Sequence, residues 1–196
     1  MEEVVLVDEE GHARGVMEKS AVHHANTPLH LGFSCYVLNN EDQLLLTRRA
    51  LGKKTWPGVW TNSCCGHPHP GESLVRSVQR RLGQELGIGT ADITLILPGF
   101  RYAARMDNGV REHELCPVFR AYTVAEPAPD PAEVAETRWI AWPAFSEEVA
   151  SGALTVSPWC ALQVPQLAGL GPDPRQWPTG DAAALPAAAH LVEQTF

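Results

Sequence analysis

The hydrophobic residues of this chain fall into short apolar runs separated by turn-forming residues, and into one longer helical repeat. Short runs bounded by Gly, Pro, Asn or Asp are typical of strands. The turn at 39–42 separates two such runs closely enough to predict a hairpin. Strands are expected at 4–7, 31–38, 43–47, 93–97, 100–104, 115–124 and 137–141.

The strongest helical pattern covers residues 73–86. Apolar residues recur every four positions from Leu74 to Leu86 and form one stripe, and Gly87 is a natural stop. Because strands are interspersed with helices, the pattern predicts an α/β fold in which helices cover a mixed sheet. Shorter helices are expected at 142–150 and 157–167.

The length of 196 residues suits one domain with its own hydrophobic core. We expect this domain to span residues 1–168. From Gly169 onward the composition shifts to proline, glycine and an alanine run. Residues 169–196 are therefore predicted to form a tail that is weakly ordered or a short helix.

The chain is acidic overall, with 15 basic and 23 acidic side chains and a formal charge of −8. This balance argues against general affinity for nucleic acid, which needs a basic surface. A local cluster of cations in an acidic protein suggests a small anionic substrate, although a solvated loop is the alternative. The clustered cations are Arg48, Arg49, Lys53, Lys54, Arg80 and Arg81.

Nothing in the sequence predicts a membrane span or a secretion signal. No run of 18 apolar residues occurs, and the start Met1-Glu2-Glu3 is acidic. An odd number of cysteines, five, without framework spacing favours reduced thiols and a cytoplasmic location. Because no CxxC pair is present, an all-cysteine zinc site is not expected.

Two stretches carry side chains suited to metal binding or proton transfer. Cys65 stands two residues before His67, with Gly66 between them to allow close approach of the backbone. Glu112 and Glu114 stand two residues apart, which on a strand places both carboxylates on one face. Thiol, imidazole and paired carboxylates together indicate a metal site or an acid–base site.

Gly66, Glu72 and the segment 80–88 resemble the Nudix box, whose pattern is G-x5-E-x7-R-E-U-x-E-E-x-G-U, with U a bulky apolar residue. Arg81 and Gln84 stand where Nudix hydrolases carry glutamates. Hydrolysis of a diphosphate needs several carboxylates to hold divalent metal, whereas arginine binds phosphate. The scaffold is therefore expected to bind a diphosphate without cutting it.

The segment 61–68, with the sequence TNSCCGHP, precedes this altered box. With it, the chain resembles the type I isopentenyl diphosphate isomerases of the Nudix superfamily, from about Met1 to Ala168. The resemblance implies a Nudix-type α/β/α sandwich with a mixed sheet and a role in isoprene biosynthesis. It extends over Glu18-Lys19, Thr47-Arg48-Arg49-Ala50, Lys53-Lys54, 56–60, Phe100-Arg101-Tyr102, 116–119 and Ser157-Pro158-Trp159.

The resemblance implies one divalent metal ion held by three histidines and two glutamates. The matching positions are His23, His30, His67, Glu112 and Glu114. Imidazole with carboxylate suits Zn²⁺ or Mn²⁺ better than a pure oxygen site would, and Mg²⁺ is the third possibility. His24 is the alternative to His23, but the seven-residue spacing to His30 favours His23.

The reaction implied by the resemblance is the 1,3-allylic isomerisation of isopentenyl diphosphate to dimethylallyl diphosphate. Adding a proton to the double bond gives a tertiary carbocation, and losing a proton from C2 gives the product, so an acid and a base must flank the substrate. The resemblance assigns one side to Cys65 and the other to Glu114, assisted by the hydroxyl of Tyr102. The neighbouring Cys64 is the alternative thiol, although on a strand it would point the other way.

The resemblance also implies residues that hold the substrate. Trp159 would cover the hydrocarbon, since an indole face stabilises a cation. Trp60 is a second candidate for this pocket, while the other tryptophans are expected in the core. Glu85 would hold Mg²⁺ against the diphosphate. The phosphate oxygens would be bound by Lys19, Arg49, Lys53 and Arg81.

Two rival functions stay open at this point. One is a Nudix hydrolase acting on another diphosphate, against which Arg81 and Gln84 argue. The other is a noncatalytic module that binds metal or diphosphate. In each case the partner is a small molecule rather than nucleic acid or membrane, and a monomer is expected rather than an oligomer.

Overall fold

The computed structural model describes residues 2–89 and 91–190. Its helices are α1 Lys19–Val22, α2 Leu74–Leu86, α3 Trp142–Ala150, α4 Pro158–Ala168 and α5 Ala187–His190. Its strands are β1 Glu3–Val7, β2 Ala13–Glu18, β3 His30–Leu31, β4 Phe33–Leu38, β5 Gln43–Arg49, β6 Trp60–Thr61, β7 Cys64–Gly66, β8 Asp92–Leu97, β9 Arg101–Arg105, β10 Arg111–Leu115, β11 Val118–Tyr122 and β12 Val134–Ala141.

The strands form two mixed sheets. One has the order β2-β1-β3-β10-β9, and the other has the order β12-β5-β4-β11-β8, with β6 beside β5 and β7 beside β4. The β3–β10 and β4–β11 pairs are parallel, whereas the other pairs are antiparallel. The predicted α/β class is therefore confirmed, with two mixed sheets.

The second sheet is buried on both faces, which makes the layered sandwich. Along β4, Cys35 and Val37 face a core that contains the apolar stripe of α2, while Tyr36 and Leu38 face a core that contains residues of α3 and α4. Side chains alternate across a strand, so one continuous apolar run supplies both cores. Because both faces of β4 are apolar, helices pack against each face of the second sheet.

Helix α2 begins and ends where the sequence predicts. Ser73 is its N-cap and accepts a hydrogen bond from the Arg76 backbone N–H. Gly87 ends it in the left-handed conformation, with φ of 67°, and its N–H bonds to the Gly83 carbonyl. The hairpin at β4–β5 is also confirmed, with Leu38 paired to Leu44.

Several elements differ from the prediction. The single strand expected at 115–124 is wrong: it is divided into β10 and β11 by Cys116-Pro117. Proline cannot donate to a strand ladder, so the chain leaves one sheet there and enters the other. The strand expected at 31–38 is interrupted at Gly32, which separates β3 from β4. Strand β2, helix α1 and strand β7 were not predicted; the last two have only four and three residues, too few for a periodic signal.

The segment after α4 packs against the domain as far as residue 190. Trp177 is buried and meets Trp142 edge to face at 4.8 Å. The buried Arg120 guanidinium donates to the carbonyls of Pro174 and Trp177. The described tail thus has a short helix, α5, and fixed contacts, while the rest of residues 169–196 lies outside the described range; the domain boundary at 168 stays a prediction.

No helix within residues 2–89 and 91–190 combines the length and the hydropathy needed to cross a bilayer. All five cysteines lie in this described part and are free thiols.

Candidate active site

The site lies where the chain passes between the two sheets. Strands β3 and β4 are separated only by Gly32, yet they belong to different sheets. A Cβ at Gly32 would lie 2.8 Å from the carboxyl carbon of Glu114, so only glycine leaves room for that side chain. Strand register then pairs His30 with Glu114, Glu114 with Tyr102, and Ser34 with Cys65.

A cavity of about 460 Å³ opens at this junction. The side chains of Cys65 and Glu114 line it together, so the two groups that the sequence paired for proton transfer share one space. Of the remaining predicted site residues, only His30 does not line it and lies beneath Glu114 instead. The others that line it are Lys19, His23, Arg49, Lys53, His67, Arg81, Glu85, Tyr102, Glu112 and Trp159.

Three imidazoles and a carboxylate converge at one end of the cavity. His23, His30, His67 and Glu114 each bring one nitrogen or oxygen within 4.8 Å of the others. The three ring centroids are 5.0 to 5.6 Å apart. Glu112 adjoins the group, since its Oε2 lies 2.8 Å from Nε2 of His23. We call these five side chains the histidine cluster.

Several buried nitrogen and oxygen atoms of the histidine cluster have no hydrogen-bond partner in the part of the chain that the structure describes, and a bound cation would provide one. His30 Nδ1 lies 2.9 Å from the Pro28 carbonyl and donates to it, so its Nε2 is directed at the Glu114 carboxylate, 3.5 Å away, and in the neutral imidazole this Nε2 carries a lone pair. His23 Nε2 and Glu112 Oε2 are close, yet neither has a hydrogen bond of acceptable geometry among the described residues. Buried acceptors facing acceptors, with imidazole and carboxylate donors, fit a divalent metal.

The pKa values of the histidine cluster reflect this crowding. Burial lowers the pKa of His67 to about 4, despite the hydrogen bond to Glu114. Burial disfavours charge on Glu114 as well, but the hydrogen bonds and charges of His30 and His67 outweigh it and hold its pKa well below the usual range. His30 behaves oppositely, because the Glu114 carboxylate outweighs the effect of burial and raises the pKa of its imidazole. The cluster thus holds a carboxylate between a histidine that resists protonation, His67, and one that favours it, His30.

Cys65 is held by two polar neighbours beside the cavity. Its Sγ lies 3.3 Å from Oδ1 of Asn62 and 3.5 Å from Oγ of Ser34. Burial raises its pKa to about 11, so the group is a neutral thiol at pH 7. Cys64 points to the opposite side of the strand, into the core beneath α2, and does not line the cavity.

Aromatic rings wall the cavity near Cys65. Trp159 lies 5.8 Å from Tyr102 and meets Trp56 edge to face at 5.6 Å. The Arg49 guanidinium sits 5.3 Å from the Trp159 ring. Trp60 does not line the cavity, and Trp56 is half-buried against Trp159 rather than in the core as expected.

The predicted diphosphate-binding cations line the same cavity, and each has a partner within the protein. Lys19 Nζ lies 2.7 Å from Glu2, and Lys53 is ion-paired with Glu133. Arg49 donates to the Thr55 carbonyl at 2.9 and 3.0 Å. Arg81 is ion-paired with Glu85 and lies 3.2 Å from Glu133. We call Lys19, Arg49, Lys53 and Arg81 the cation group.

Other conspicuous side chains of the sequence have structural partners. Glu72 forms a two-point ion pair with Arg80, at 2.7 and 2.8 Å, and caps the His69 N–H. His24 turns outward and accepts a hydrogen bond from Asn26, so His23 is the member of the histidine cluster.

Sequence reasoning missed several residues that build the site. Asn62 was noted only as part of a motif, Ser34 lay inside an apolar run, and Gly32 gave no signal. Glu133 follows a proline-rich loop and is 80 positions from Lys53. Such long-range pairs carry no local pattern, and only the tertiary structure reveals them.

Comparison with known proteins identifies the family. Residues 28–160 match the NUDIX domain. The isopentenyl-diphosphate Delta-isomerase of Saccharopolyspora erythraea is 57% identical over 192 residues, which cover 98% of this chain and 99% of that protein. The enzyme of the same name from Rhizobium rhizogenes is 51% identical over 189 residues, covering 96% and 90%.

Solved structures agree on the fold. A MutT protein from Methanosarcina mazei Go1 superposes with a TM-score of 0.59 at 22% identity, covering 72% of this chain and 94% of that one. A MutT NUDIX hydrolase from Burkholderia pseudomallei gives 0.54 at 21%, covering 71% and 98%. At these identities the likeness concerns the fold alone. With its relatives in sequence, the chain belongs to the isopentenyl-diphosphate Delta-isomerase family of NUDIX-domain proteins.

Proposed function

We propose that this protein catalyses the conversion of isopentenyl diphosphate to dimethylallyl diphosphate, with Cys65 and Glu114 as the proton-transferring groups. The observation that carries the proposal is that a thiol and a carboxylate open into one cavity that four cations also line. An allylic isomerase needs this combination, because it must grip a diphosphate and handle protons at a hydrocarbon.

The chemistry has two proton transfers. A donor protonates C4 of the substrate, the double bond electrons form the new C–H bond, and a tertiary cation is left at C3. A base then removes a proton from C2, and the C–H electrons form the new double bond between C2 and C3. One proton enters and one leaves, so the enzyme ends each turnover with the proton moved between its two groups.

The resting proton states of the two groups are complementary. The buried thiol of Cys65 keeps its proton, since its pKa is raised to about 11. The Glu114 carboxyl is ionised, because its histidine neighbours hold its pKa well below the usual range. One group can therefore give a proton while the other takes one, and the reverse reaction exchanges these roles. Tyr102, the strand partner of Glu114, offers a hydroxyl on the same side.

The aromatic wall protects the intermediate. Trp159 is buried and its ring borders the cavity together with Tyr102. An indole face attracts a cation by about 0.5–2 kcal/mol per contact and carries no nucleophile that could trap it. Trp56, edge-on to Trp159, adds bulk against water on the same side.

The cation group binds the diphosphate. Lys19, Lys53 and Arg81 are ion-paired within the protein, so binding requires the phosphate oxygens to replace carboxylates as their partners. The exchange is feasible because these pairs border the cavity rather than the dry core. Glu85, released from Arg81, would hold Mg²⁺ that accompanies the diphosphate.

The histidine cluster would hold one divalent ion, and its nitrogen-rich donor set favours Zn²⁺ or Mn²⁺ over Mg²⁺. When bound, such an ion supplies positive charge that fixes the Glu114 carboxyl and tunes its basicity. His23, His30 and His67 orient Glu114 toward the cavity. The protein is further proposed to act as a cytoplasmic monomer with reduced thiols.

The experiment that tests this function separates isomerisation from hydrolysis. Purified protein with Mg²⁺ and Mn²⁺ is incubated with isopentenyl diphosphate, and separately with nucleoside diphosphates. Formation of dimethylallyl diphosphate without phosphate release is expected. Rapid phosphate release without the isomer would instead support a hydrolase, and binding without any product would support a noncatalytic module.

A further inference from the structure

Asn62 lies between the thiol and the indole and is entirely buried, and its contact with Cys65 is only one of those it makes. Its Oδ1 is 3.3 Å from Cys65 Sγ and 3.0 Å from Trp159 Nε1. We propose that Asn62 is a positioning residue, whose single carbonyl oxygen fixes the Cys65 thiol and the Trp159 ring relative to each other. The inference rests on the proposed function for its kinetic meaning.

The orientation of the Asn62 amide is unambiguous. Its Nδ2 donates to the carbonyls of Cys35 at 3.0 Å and Cys64 at 2.9 Å. A flipped amide would set an oxygen against these two acceptors and an NH₂ against the indole N–H, which only donates. Both amide hydrogens are therefore committed to the backbone, and Oδ1 must face the cavity wall.

This orientation fixes the direction of the thiol hydrogen. Oδ1 cannot donate, so the bond between Cys65 and Asn62 requires the S–H to point at Asn62. Trp159 Nε1 is also a donor only, so both groups are held by the same oxygen. The sulfur and the indole plane are thereby kept in one geometry before substrate arrives.

A second contact ties this oxygen to helix α4. The Thr61 hydroxyl donates to Asn62 Oδ1 at 2.9 Å and lies 2.7 Å from Oγ of Ser157, the N-cap of α4. The helix that carries Trp159 is thus fastened to the segment that carries Cys65. A displacement of either group by about 1 Å costs a reaction on the order of 100-fold in rate.

The test compares three variants in a steady-state assay of the holoenzyme. Asn62→Ala removes the shared oxygen, and kcat is expected to fall about 100-fold while KM stays within threefold, because the cation group is untouched. Thr61→Val keeps the shape and removes the link from this oxygen to Ser157, but it leaves the bonds of Oδ1 to Cys65 and Trp159, so its loss in kcat should be clearly smaller than that of Asn62→Ala. An unchanged kcat in Asn62→Ala, or equal losses in both variants, would overturn the proposal.

Asn62→Asp separates positioning from mere stability. It keeps an oxygen for the thiol and the indole but loses the two amide donors, so urea unfolding should occur at a lower concentration while kcat stays within tenfold of the unaltered enzyme. If kcat instead follows stability across the Ala and Asp variants, Asn62 is only structural. If Asn62→Ala does not fold, the Asn62→Asp and Thr61→Val variants provide the test. The proposal is then overturned if kcat of Asn62→Asp is as low as kcat of Cys65→Ala.

A spectroscopic readout is independent of activity. The Trp159 indole N–H resonance, identified by its loss in Trp159→Phe, is expected downfield in the unaltered protein and in Asn62→Asp, and shifted upfield in Asn62→Ala. A resonance that does not move in Asn62→Ala would show that the oxygen does not hold the indole. If the unaltered protein lacked isomerase activity, the proposed function would fail while this measurement still tested the contact.

Discussion

Two groups of charged and polar side chains at the cavity differ in how they are paired. In the histidine cluster, buried atoms of the described residues face one another without a hydrogen bond, as Nε2 of His30 does toward Oε1 of Glu114 at 3.5 Å. In the cation group, every guanidinium or ammonium has a partner within the protein: Lys53 has Glu133, for example, and Arg49 has the neutral carbonyl of Thr55. The histidine cluster is therefore suited to a cation, whereas most charges of the cation group are already balanced by carboxylates.

This difference predicts how each group responds to a ligand. The histidine cluster gains by taking up a metal, because a cation between buried unpaired nitrogen and oxygen atoms removes an unmet electrostatic cost. The cation group loses its internal pairs when an anion binds, so only the excess of phosphate contacts over carboxylate contacts stabilises the complex. The histidine cluster therefore suits a resident ion, and the cation group suits a substrate that must leave after each turnover.

The most damaging change should be the loss of the Cys65 thiol, which belongs to neither the histidine cluster nor the cation group. Cys65→Ala is expected to lower kcat about 10³-fold, because it removes one of the two proton-transferring groups. Metal content and diphosphate affinity should persist, since the histidine cluster and the cation group are unchanged. Metal analysis, substrate binding and a turnover assay together check this outcome.

Cys64→Ala is the matched control. Cys64 faces the core beneath α2, so its loss should leave kcat unchanged and reduce the free energy of unfolding by about 1 kcal/mol. Equal kinetic damage from both variants would assign the chemistry to the wrong thiol.

Breaking the histidine cluster should weaken metal binding without closing the cavity. Glu112→Gln removes the charge of the carboxylate that lies 2.8 Å from His23 Nε2. We expect metal affinity to fall by a factor on the order of 100. Competition against a calibrated chelator measures it, and an affinity equal to that of the unaltered protein would exclude Glu112 from the site.

Acid should destabilise the metal-free protein through the histidine cluster. The folded state keeps the pKa of His67 near 4, below the value of an unfolded histidine, so the unfolded chain binds the extra proton first. Stability should therefore fall as pH drops from about 6.5 toward 4, by up to about 3 kcal/mol from this group. Urea unfolding of chelator-treated protein measures the slope.

His67→Gln is the control for the acid effect. It removes the titrating imidazole while keeping an amide near Glu114, so stability should decline less steeply between pH 6.5 and 4. An unchanged slope would assign the acid sensitivity to other groups.

The smallest expected effect concerns the cation group and its carboxylate partners. Glu133→Gln removes a carboxylate that competes with phosphate for Lys53 and Arg81. Because ion pairs that solvent can reach contribute about 0.2–1 kcal/mol, KM should fall about threefold with kcat unchanged. Glu136→Gln, whose partner Arg48 lies outside the cavity, should leave KM as it was. A raised KM in Glu133→Gln would mean that Glu133 supports rather than competes with binding.

Much of this fold could be read from local pattern. Helix α2 was predicted within one residue, because a four-residue apolar repeat, the Ser73 cap and the Gly87 stop all act locally. The division at Cys116-Pro117 was missed, since an apolar run does not reveal that its two halves join different sheets. Short pieces such as β7 exist only through their pairing with β4.

The site also contains residues that local sequence motifs predict and residues that only the tertiary structure reveals. Its chemistry-bearing residues were named through long motifs, and except for the second pocket candidate, Trp60, they lie in or directly beneath one cavity. Asn62 and Glu133 were not assigned roles, because their importance comes from partners 97 and 80 positions away. Gly32 was also missed, since the need for glycine there is set by the carboxyl group of Glu114.

The most direct test of the central claim follows hydrogen at the substrate carbons. Isopentenyl diphosphate is incubated with the metal-loaded protein in D₂O and the products are read by NMR. Deuterium is expected at the new methyl group formed from C4, together with loss of hydrogen from C2, and neither change is expected with Cys65→Ala. Undiminished deuterium entry and C2 exchange in Cys65→Ala would contradict a thiol and a carboxylate sharing the two proton transfers.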